Sequence, residues 1–566
     1  MLRLLVVPAL LFAFCFVPVR ANPTTELLQI VPAETNVCLV LQNLREHSEQ
    51  IIDSPFVKWF ATSTYGKLLL AGPDVKKLRD VETVLAKQLG MTTDDLRQEI
   101  FGDAVVLAYQ PGPLDKPQME SGVLLVKARD AKKLDELFRK LNEAQTDSGE
   151  LERIEKKTHK NTSYSARIKR DGKTEYICIQ AGLLIATGQE HALQRTIEQQ
   201  ANAKKNSFVS VYEKLGYTQI AAAVLFNPRA WDAEWNAKIV DAPDANAKAF
   251  QTQFLKLWQS ADAIGLALHL KHDAELSLGL ALNPAKVPLA FQAMLEPGEP
   301  TALWNAIPPN ALFASAGKLR IPALLKVAQS FLADEGIDAL KTMWNQSIAP
   351  IIGKDALPMV LRELGPDYAF WLTAPGKNSA SKLPILTLAV RVKQPSAQEP
   401  QLAKAALNAL DFAFQTIRVD HNRTHDDQFQ IEESKIENDS IKSLVNEKAL
   451  PGIQPSFALR GDYIVVASHA EGVRSFTSPS AAPKDAQGLI MKLNAAGIVA
   501  YLAEHKKPVA EFFAVWNDRK PAEVQAEFAD FAMILEMLNR AELRRTGTAD
   551  QPRITLKLQF AEPLKK

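Results

Sequence analysis

The chain has 566 residues, of which 47% are hydrophobic and 23% are charged. This balance is typical of a globular protein with a packed core and excludes general disorder. Lysine and arginine total 66 against 65 aspartate and glutamate, without a long run of one sign. Electrostatic capture of nucleic acid is therefore disfavoured.

Residues 1–21 have the pattern of a secretory signal peptide. Arg3 precedes an apolar stretch over residues 4–17, and Ala21 ends a segment with the small residues that signal cleavage requires. The apolar stretch is shorter than the roughly 20 residues of a spanning helix. We therefore expect an exported, periplasmic or extracellular chain that begins near Asn22 and has no transmembrane span, with a retained anchor as the alternative.

The next part of the chain alternates strand and helix patterns. In chain order the predicted elements are strand Asn36–Leu41, helices Ser54–Leu70 and Val75–Leu89, strands Ala104–Tyr109 and Gly122–Ala128, a helix capped by Asp130, strands Tyr164–Ile168, Glu175–Ile179 and Leu183–Thr187, helix Gln189–Gln199, strand Ala221–Phe226, helices to Trp258, and a hairpin of Ala263–Leu270 and Glu275–Leu282. Strands in adjacent pairs with helices between the pairs favour an α+β fold with a largely antiparallel sheet.

Six segments of this pattern recur later in the same order. "FGDAVVLAYQPG" from Phe101 is answered by "LGPDYAFWLTAPG" from Leu364, and "LLVKA" from Leu124 by "LAVRV" from Leu388. The other pairs begin at Val31 and Ile307, Ala181 and Asp462, Ala221 and Leu489, and Leu276 and Ile554. Varying surface loops explain the small drift in spacing. We therefore predict two tandem α+β copies, residues 22–300 and 301–566, each an antiparallel sheet with helices packed on it.

Several predicted strands are apolar at nearly every position, among them "AVVLAY", "GVLLV" and "IGLALHL". Such strands are typical of sheets that are covered on both faces. We expect helices to cover one face, and the other face either to be covered by the partner copy or to line an apolar groove.

Two cysteines remain after the predicted cleavage. Cys15 does not fit lipoprotein processing, because Phe14 stands where a small residue is required. Cys38 and Cys178 lie inside apolar strand-like runs, which favours a role as small core residues. A disulfide between them stays open, since the compartment is expected to be oxidising.

The segment "DHNRTHDD", Asp420 to Asp427, is the best metal candidate. His421 and His425 are four residues apart, a spacing that would place both imidazoles on one face of a helix. The segment lacks the "HExxH" order and is polar throughout, so we interpret it as a solvated hairpin tip, with a metal- or carboxylate-dependent hydrolase as the alternative. Stoichiometric metal that is lost on replacing both histidines by Ala would favour the hydrolase.

Other candidate motifs have structural interpretations. "DGKT", Asp171–Thr174, resembles the end of a phosphate-binding loop, but Arg167 stands where that loop needs glycine, so a hairpin turn is favoured. "HLKH", His269–His272, lies at a strand end, where the two imidazoles need not converge. Trp231 and Trp235 are four residues apart, which suggests packing between the copies, or a ligand or partner surface as the alternative.

The sequence assigns no catalytic, cofactor-binding or metal-binding residue. The nucleophile motif "GxSxG" is absent from the sequence, although scattered carboxylates could still converge in space. Asn-x-Ser/Thr sites occur at Asn161, Asn345, Asn422 and Asn438, and they matter only in a host that glycosylates exported chains.

An export signal followed by "VPAETNVCLVLQNL", "FGDAVVLAY" and "YICIQAGLLIATGQEHAL" resembles a family of uncharacterised bacterial exported proteins, a domain of unknown function. The resemblance covers most of both copies. It implies an extracytoplasmic setting and brings no catalytic residues.

These observations favour a non-enzymatic exported protein that binds a protein partner or an apolar ligand in the cell envelope. The hydrolase and a structural envelope or matrix protein remain alternatives. The sequence implies no cofactor and leaves catalysis and the oligomeric state open.

Overall fold

The computed structural model describes residues 22–561 apart from 54–56, 58–60, 62–66, 68–70, 73–86, 88, 113–118, 203–206, 218, 271–272, 296–297, 348–362, 378, 380, 394–400 and 438. The predicted signal peptide, and most of the predicted helices over residues 54–70 and 75–89, lie outside the described residues. With 42% helix and 32% strand, the chain has the α+β composition that the sequence predicts.

The chain divides into two compact units. Unit 1 comprises residues 1–48 and 73–227, and unit 2 comprises residues 49–72 and 228–566. Every pairing among the described strands is antiparallel. The largely antiparallel sheet predicted from the sequence is confirmed, whereas the border between the repeats at residue 300 stays a prediction.

Unit 1 contains eight described strands, which pair in the order β8–β1–β2–β3–β7–β6–β5–β4. The strands are β1 Val37–Gln42, β2 Ala104–Gln110, β3 Ser121–Lys127, β4 Leu151–His159, β5 Thr162–Lys169, β6 Thr174–Gln180, β7 Leu183–Thr187 and β8 Ala222–Phe226. The helices are α1 Pro23–Gln29, α2 Leu44–Asp53, which crosses the border between the units, α3 Thr93–Asp95 with a π-helical turn Leu96–Ile100, α4 Ala131–Asp147, α5 Glu190–Ala201 and α6 Ser207–Leu215.

The core of unit 1 follows the alternation of side chains along its strands. Val40, Val106, Leu125 and Ile185 are cross-strand neighbours and are all fully buried. The opposite face is covered at one end by α4, whose Leu134 belongs to the same buried cluster as Val105 and Val126. Asp130 caps α4 as predicted, because its Oδ1 accepts hydrogen bonds from the main-chain N–H groups of residues 132 and 133.

Unit 2 contains twelve described strands, in the order β9–β10–β20–β19–β18–β11–β12–β13–β17–β16–β15–β14. The strands are β9 Ala261–Leu270, β10 Ala274–Leu282, β11 Phe313–Lys318, β12 Leu364–Thr373, β13 Ile385–Val392, β14 Gln430–Ile436, β15 Asp439–Val445, β16 Ser456–Arg460, β17 Tyr463–Ala467, β18 Leu489–Asn494, β19 Leu538–Gly547 and β20 Pro552–Phe560. The helices are α7 Asp232–Val240, α8 Ala245–Ser260, α9 Leu289–Leu295, α10 Ile321–Ser330, α11 Asp334–Ser347, α12 Gln401–Thr424, α13 Ala470–Ser475, α14 Ala495–Trp516 and α15 Pro521–Leu535.

The alanine-rich core of unit 2 lies on one face of its sheet, and α12 packs on part of the other face, where Leu402 and Val392 belong to one buried cluster. Ala369, Ala389 and Val465 are cross-strand neighbours and fully buried, and Trp371 stacks on Phe476 at 6.3 Å between ring centroids. Small residues on this face allow the short helix α13 to approach closely. A Cβ on Gly472 of α13 would lie 2.5 Å from Thr387 Oγ1 and 2.8 Å from the Cβ of Ala467.

Two local predictions are wrong. The charged segment around residue 155 is strand β4, which the sequence analysis did not assign, and it turns into β5 through Lys160 and Asn161 with positive φ angles. The segment Asp420–Asp427 is not a hairpin tip, because α12 continues to Thr424 and β14 begins only at Gln430.

The structure predicts an acid-sensitive cap on α13. His469 is the N-cap residue, its Nδ1 accepts the Glu471 N–H at 3.3 Å, and burial lowers its pKa. His469 therefore binds a proton more readily in the unfolded chain than in the folded one. The contribution of the neutral His469 cap to the free energy of unfolding is complete above pH about 6.5 and declines as the pH falls from there toward the folded pKa. We expect His469→Asn, which keeps a capping side chain, to lose less stability than wild type between pH 7.5 and 5.5 in urea titrations. Equal losses would contradict this role.

The close approach of α13 is testable with one methyl group. We expect Gly472→Ala to lower the free energy of unfolding by about 1–3 kcal/mol, because the added Cβ has no room against β13 and β17. Gly188→Ala is the control, since no atom lies within 4 Å of the added Cβ there. Equal denaturation midpoints for the two variants would contradict this prediction, because they would show that α13 moves away from the sheet without a loss of stability.

Candidate ligand-binding cavity

An apolar row crosses the sheet of unit 2 on the face opposite its alanine-rich core. Its members are cross-strand neighbours on nine consecutive strands: Leu268, Leu276, Leu556, Leu543, Met491, Ser315, Phe370, Leu388 and Val466. We call this set the apolar row. With strands about 4.8 Å apart, it extends over roughly 40 Å.

Part of this face is open to solvent. Leu276 is 40% exposed and Leu388 is 39% exposed, and the neighbouring Leu278, Ile554 and Leu386 are exposed to a similar degree. This face is therefore not covered at these positions, and the alternative that it lines an apolar groove stays a prediction. The exposed residues form two groups, one on β10 and β20 and one on β13, and exposed apolar patches often mark interaction sites.

Unit 1 has a shorter row of the same character. Val224, Leu39, Leu107, Leu124 and Ala186 are cross-strand neighbours on five strands, and Leu107 is 43% exposed. The row lies on the face that α4 covers at one end, where Leu124 and Ala186 pack in the cluster that contains Leu134.

A cavity of about 340 Å³ lies in unit 2 at one end of β11. Its walls are the last turn of α9, residues 298–301, the β11–α10 connection, the start of β18, and single side chains from α10, β12 and β19. Six of the lining side chains present substantial apolar surface, and they are Met294, Leu319, Leu324, Tyr368, Leu489 and Ile490. The volume is within the range of small-molecule sites.

Strand register relates the cavity to the apolar row. Tyr368 and Arg545, which both line the cavity, are two residues along from the row members Phe370 and Leu543. Because side chains alternate along a strand, each of these pairs projects from the same sheet face. The cavity and the apolar row therefore belong to one surface of unit 2.

Two glycines shape the cavity. Gly317 is the cross-strand partner of Tyr368, and a Cβ there would lie 3.1 Å from the Tyr368 hydroxyl oxygen, so the ring crosses over Gly317. Gly488 has φ +67°, and a Cβ there would lie 1.9 Å from the main-chain oxygen of Arg545. Its absence lets the Arg545 N–H donate to Gly488 O at 2.7 Å.

The described part of the lining includes three cations and one carboxylate. Lys318 Nζ lies 3.2 Å from a carboxylate oxygen of Glu299, which is largely exposed. Arg320 donates to the main-chain oxygen of Ala293 at 2.7 Å, and Arg545 donates to that of Leu295. Burial, and secondarily the charge of Arg320, lower the pKa of Arg545.

Sequence reasoning missed these cavity residues. Lys318 and Arg320 follow a strand that the repeat search did identify, in "ASAGKLR", but a basic residue after a strand has no specific meaning. Arg545 comes from β19, a strand that the sequence analysis did not assign. Only the tertiary structure brings Arg545 to the same cavity as Lys318 and Arg320.

Unit 2 has two further cavities. One of about 480 Å³ has Lys492 and Trp304 in its lining, with Lys492 Nζ 5.4 Å from the ring centroid of Trp304, and burial lowers the pKa of Lys492. The other, about 440 Å³, lies between residues 447–452 and the α14 segment that contains Pro508. Their lining includes no residue of the apolar row.

The two histidines predicted as metal candidates do come together. The rings of His421 and His425 stack with centroids 4.1 Å apart at the end of α12, and His421 Nε2 lies 3.2 Å from Asp427 Oδ2. Asn446 donates to the same oxygen at 2.8 Å and, with His421, holds the pKa of Asp427 below its usual value. Across the described part of the chain, no group of three or more His, Cys, Asp or Glu is placed to hold a metal ion.

The remaining candidates have local structural roles. Asp171–Thr174 forms the turn into β6, as predicted, with Asp171 Oδ1 accepting the N–H of residue 173 at 3.0 Å. Arg167 is buried and donates to Asn142 Oδ1 at 2.8 Å. Cys38 and Cys178 are both buried thiols, which confirms the core interpretation, and burial raises the pKa of each.

The tryptophan pair does not form one helical face. Trp231 ends a 3₁₀ turn before α7, whereas Trp235 packs against Phe254 at 4.6 Å and Trp258 at 6.0 Å between ring centroids. These contacts join α7 to α8 inside unit 2. His269 lies in β9, paired with Glu275, and His272 is outside the described residues.

No family model, curated protein or solved structure matches this chain. Among the helices that the structure describes, none is long and apolar enough to cross a membrane.

Proposed function

We propose that this chain is an exported, non-enzymatic binding protein that holds an apolar small molecule in the cavity at the end of β11. The observation that carries the proposal is a cavity of about 340 Å³ whose apolar lining shares one sheet face with a partly exposed apolar row. Binding would remove this apolar surface from water, at a gain of roughly 25 cal/mol for each Å² buried. The export signal and the family resemblance support an extracytoplasmic setting.

We also propose that the two halves arose by duplication. In support, the strand order β8–β1–β2–β3–β7–β6–β5–β4 has the same form as β18–β11–β12–β13–β17–β16–β15–β14. Chance agreement in the order of eight strands is improbable, since many orders satisfy the rules of sheet topology.

The residue register supports the same proposal. Val106 pairs with Leu125 in unit 1, and Ala369 pairs with Ala389 at the corresponding place in unit 2. All four residues are 0% exposed. Continuing the match aligns Leu107 of unit 1 with Phe370 of the apolar row. The two rows are therefore equivalent positions of one ancestral sheet face.

The binding proposal is testable with an uncharged fluorescent probe, N-phenyl-1-naphthylamine. We expect saturable binding to the wild-type protein, and about tenfold or greater loss of affinity in Leu324→Trp, because the larger ring fills the cavity that Leu324 lines. Leu324 is 36% exposed, so the variant is expected to fold.

Leu289→Trp is the matched control. Leu289 is 82% exposed on α9 and does not line the cavity, so its replacement should leave probe affinity unchanged. Equal affinities in all three proteins would place the probe elsewhere and contradict the cavity proposal. Absence of any probe binding would favour the protein-partner alternative.

A further inference from the structure

The charges around the cavity carry information about the ligand beyond its apolar character. Among the described lining residues, the charged side chains are Lys318, Arg320, Arg545 and one carboxylate, Glu299. The whole chain is close to neutral, with a formal net charge of +1. The excess of positive charge is therefore a local property of this cavity.

Most of the hydrogen-bonding capacity of the Arg545 side chain is unused. A guanidinium has five N–H donors. Within the described residues, the side chain of Arg545 donates to one acceptor, the main-chain oxygen of Leu295, and no carboxylate lies within ion-pair distance of it. None of its nitrogens is a buried atom without a partner, so the other donors can reach solvent or a ligand.

A purely structural role accounts for only part of this arrangement. Arg320 and Arg545 donate to main-chain oxygens of Ala293 and Leu295, in the last turn of α9, where the helix dipole favours positive charge. One cation would suffice for that role. The second guanidinium adds a like charge near Arg545, and this charge, after burial, contributes to the lowered pKa of Arg545.

An anion would offset that repulsion. Carboxylates bind arginine in a bidentate manner with charge-assisted hydrogen bonds, which are stronger than those between neutral groups. The apolar side chains Met294, Leu324 and Ile490 line the same cavity and would take the hydrocarbon part of such a ligand. A cavity of this size suits one chain rather than two.

We propose that the cavity binds a single-chain fatty carboxylate, with the carboxylate on Arg545 and the chain against the apolar lining. This inference rests on the proposed function, since it names the ligand class for the same cavity.

The test compares dodecanoate with dodecanol as competitors for N-phenyl-1-naphthylamine on the full-length mature protein, below the concentration at which either forms micelles. The two competitors share a twelve-carbon chain and differ in charge. We expect dodecanoate to bind about tenfold or more tightly than dodecanol, because charge-assisted hydrogen bonds exist only with the carboxylate. Equal affinities would overturn this inference and leave the proposed function standing, whereas failure of the probe and of both competitors to bind would contradict the proposed function itself.

The Arg545→Gln variant assigns the preference to one side chain. Glutamine keeps a polar side chain at this position, but the positive charge is lost. We expect the affinity for dodecanoate to fall about tenfold and that for dodecanol to stay the same, which also shows that the cavity is still formed. If dodecanoate binds this variant as tightly as wild type, Arg545 is not the carboxylate site and the proposal fails.

Arg540→Gln is the matched control on the same strand. Arg540 projects from the opposite sheet face and pairs with Glu542 at 3.0 Å. Its replacement should change neither affinity. A loss of dodecanoate binding as large as that of Arg545→Gln would indicate a general electrostatic effect and would count against a specific site. Inorganic phosphate at millimolar concentration should not displace dodecanoate, and displacement would identify a head-group site without a place for the chain.

Discussion

The antiparallel pairing of β10 with β20 determines the form of unit 2. Residues Ala274–Gly279 pair with residues Arg553–Leu558, and this contact joins the hairpin β9–β10 to the strands at the end of the chain. An unpaired β20 would expose a row of main-chain donors and acceptors, which soluble proteins avoid. The pairing also extends the apolar row, because Leu276 and Leu268 continue it beyond Leu556. In the proposed duplication β10 and β20 are equivalent strands, and Ser277 pairs with its own equivalent, Thr555, as it would at a local twofold axis.

The two faces of the unit 2 sheet differ in the size of their side chains. The buried face has Ala316, Ala369 and Ala389, whose small side chains allow helices to lie close to the strands. The opposite face has the leucine and phenylalanine side chains of the apolar row, too large to be covered by the same close approach. Part of this face leaves leucine side chains exposed, among them Leu276 and Leu388.

Strand and helix positions were predictable where burial follows one simple period. The predicted strand Ala104–Tyr109 differs from β2 by a single residue, and the helix capped by Asp130 was located correctly. β4 was missed because only Leu151 of its nine residues is fully buried, which leaves no apolar alternation to detect. The cavity could not be predicted, because it depends on Gly317, Tyr368 and Arg545 meeting in space. Their proximity depends on residues far apart in the sequence, so no local sequence pattern predicts it. The proximity of His421 and His425 was predictable, because these residues are four apart on one helix.

The arginines of the cavity are held in place before any ligand arrives. The bond from Arg545 to Leu295 O, and that from Arg320 to Ala293 O, fix both guanidinium groups at the end of α9. A ligand would then not have to immobilise these long side chains, which is a large part of the cost of binding. Burial and, secondarily, the charge of Arg320 lower the pKa of Arg545 in this arrangement. Under the proposed function, ligand binding and the stability of unit 2 are therefore linked, since whatever binds the folded cavity stabilises the folded state.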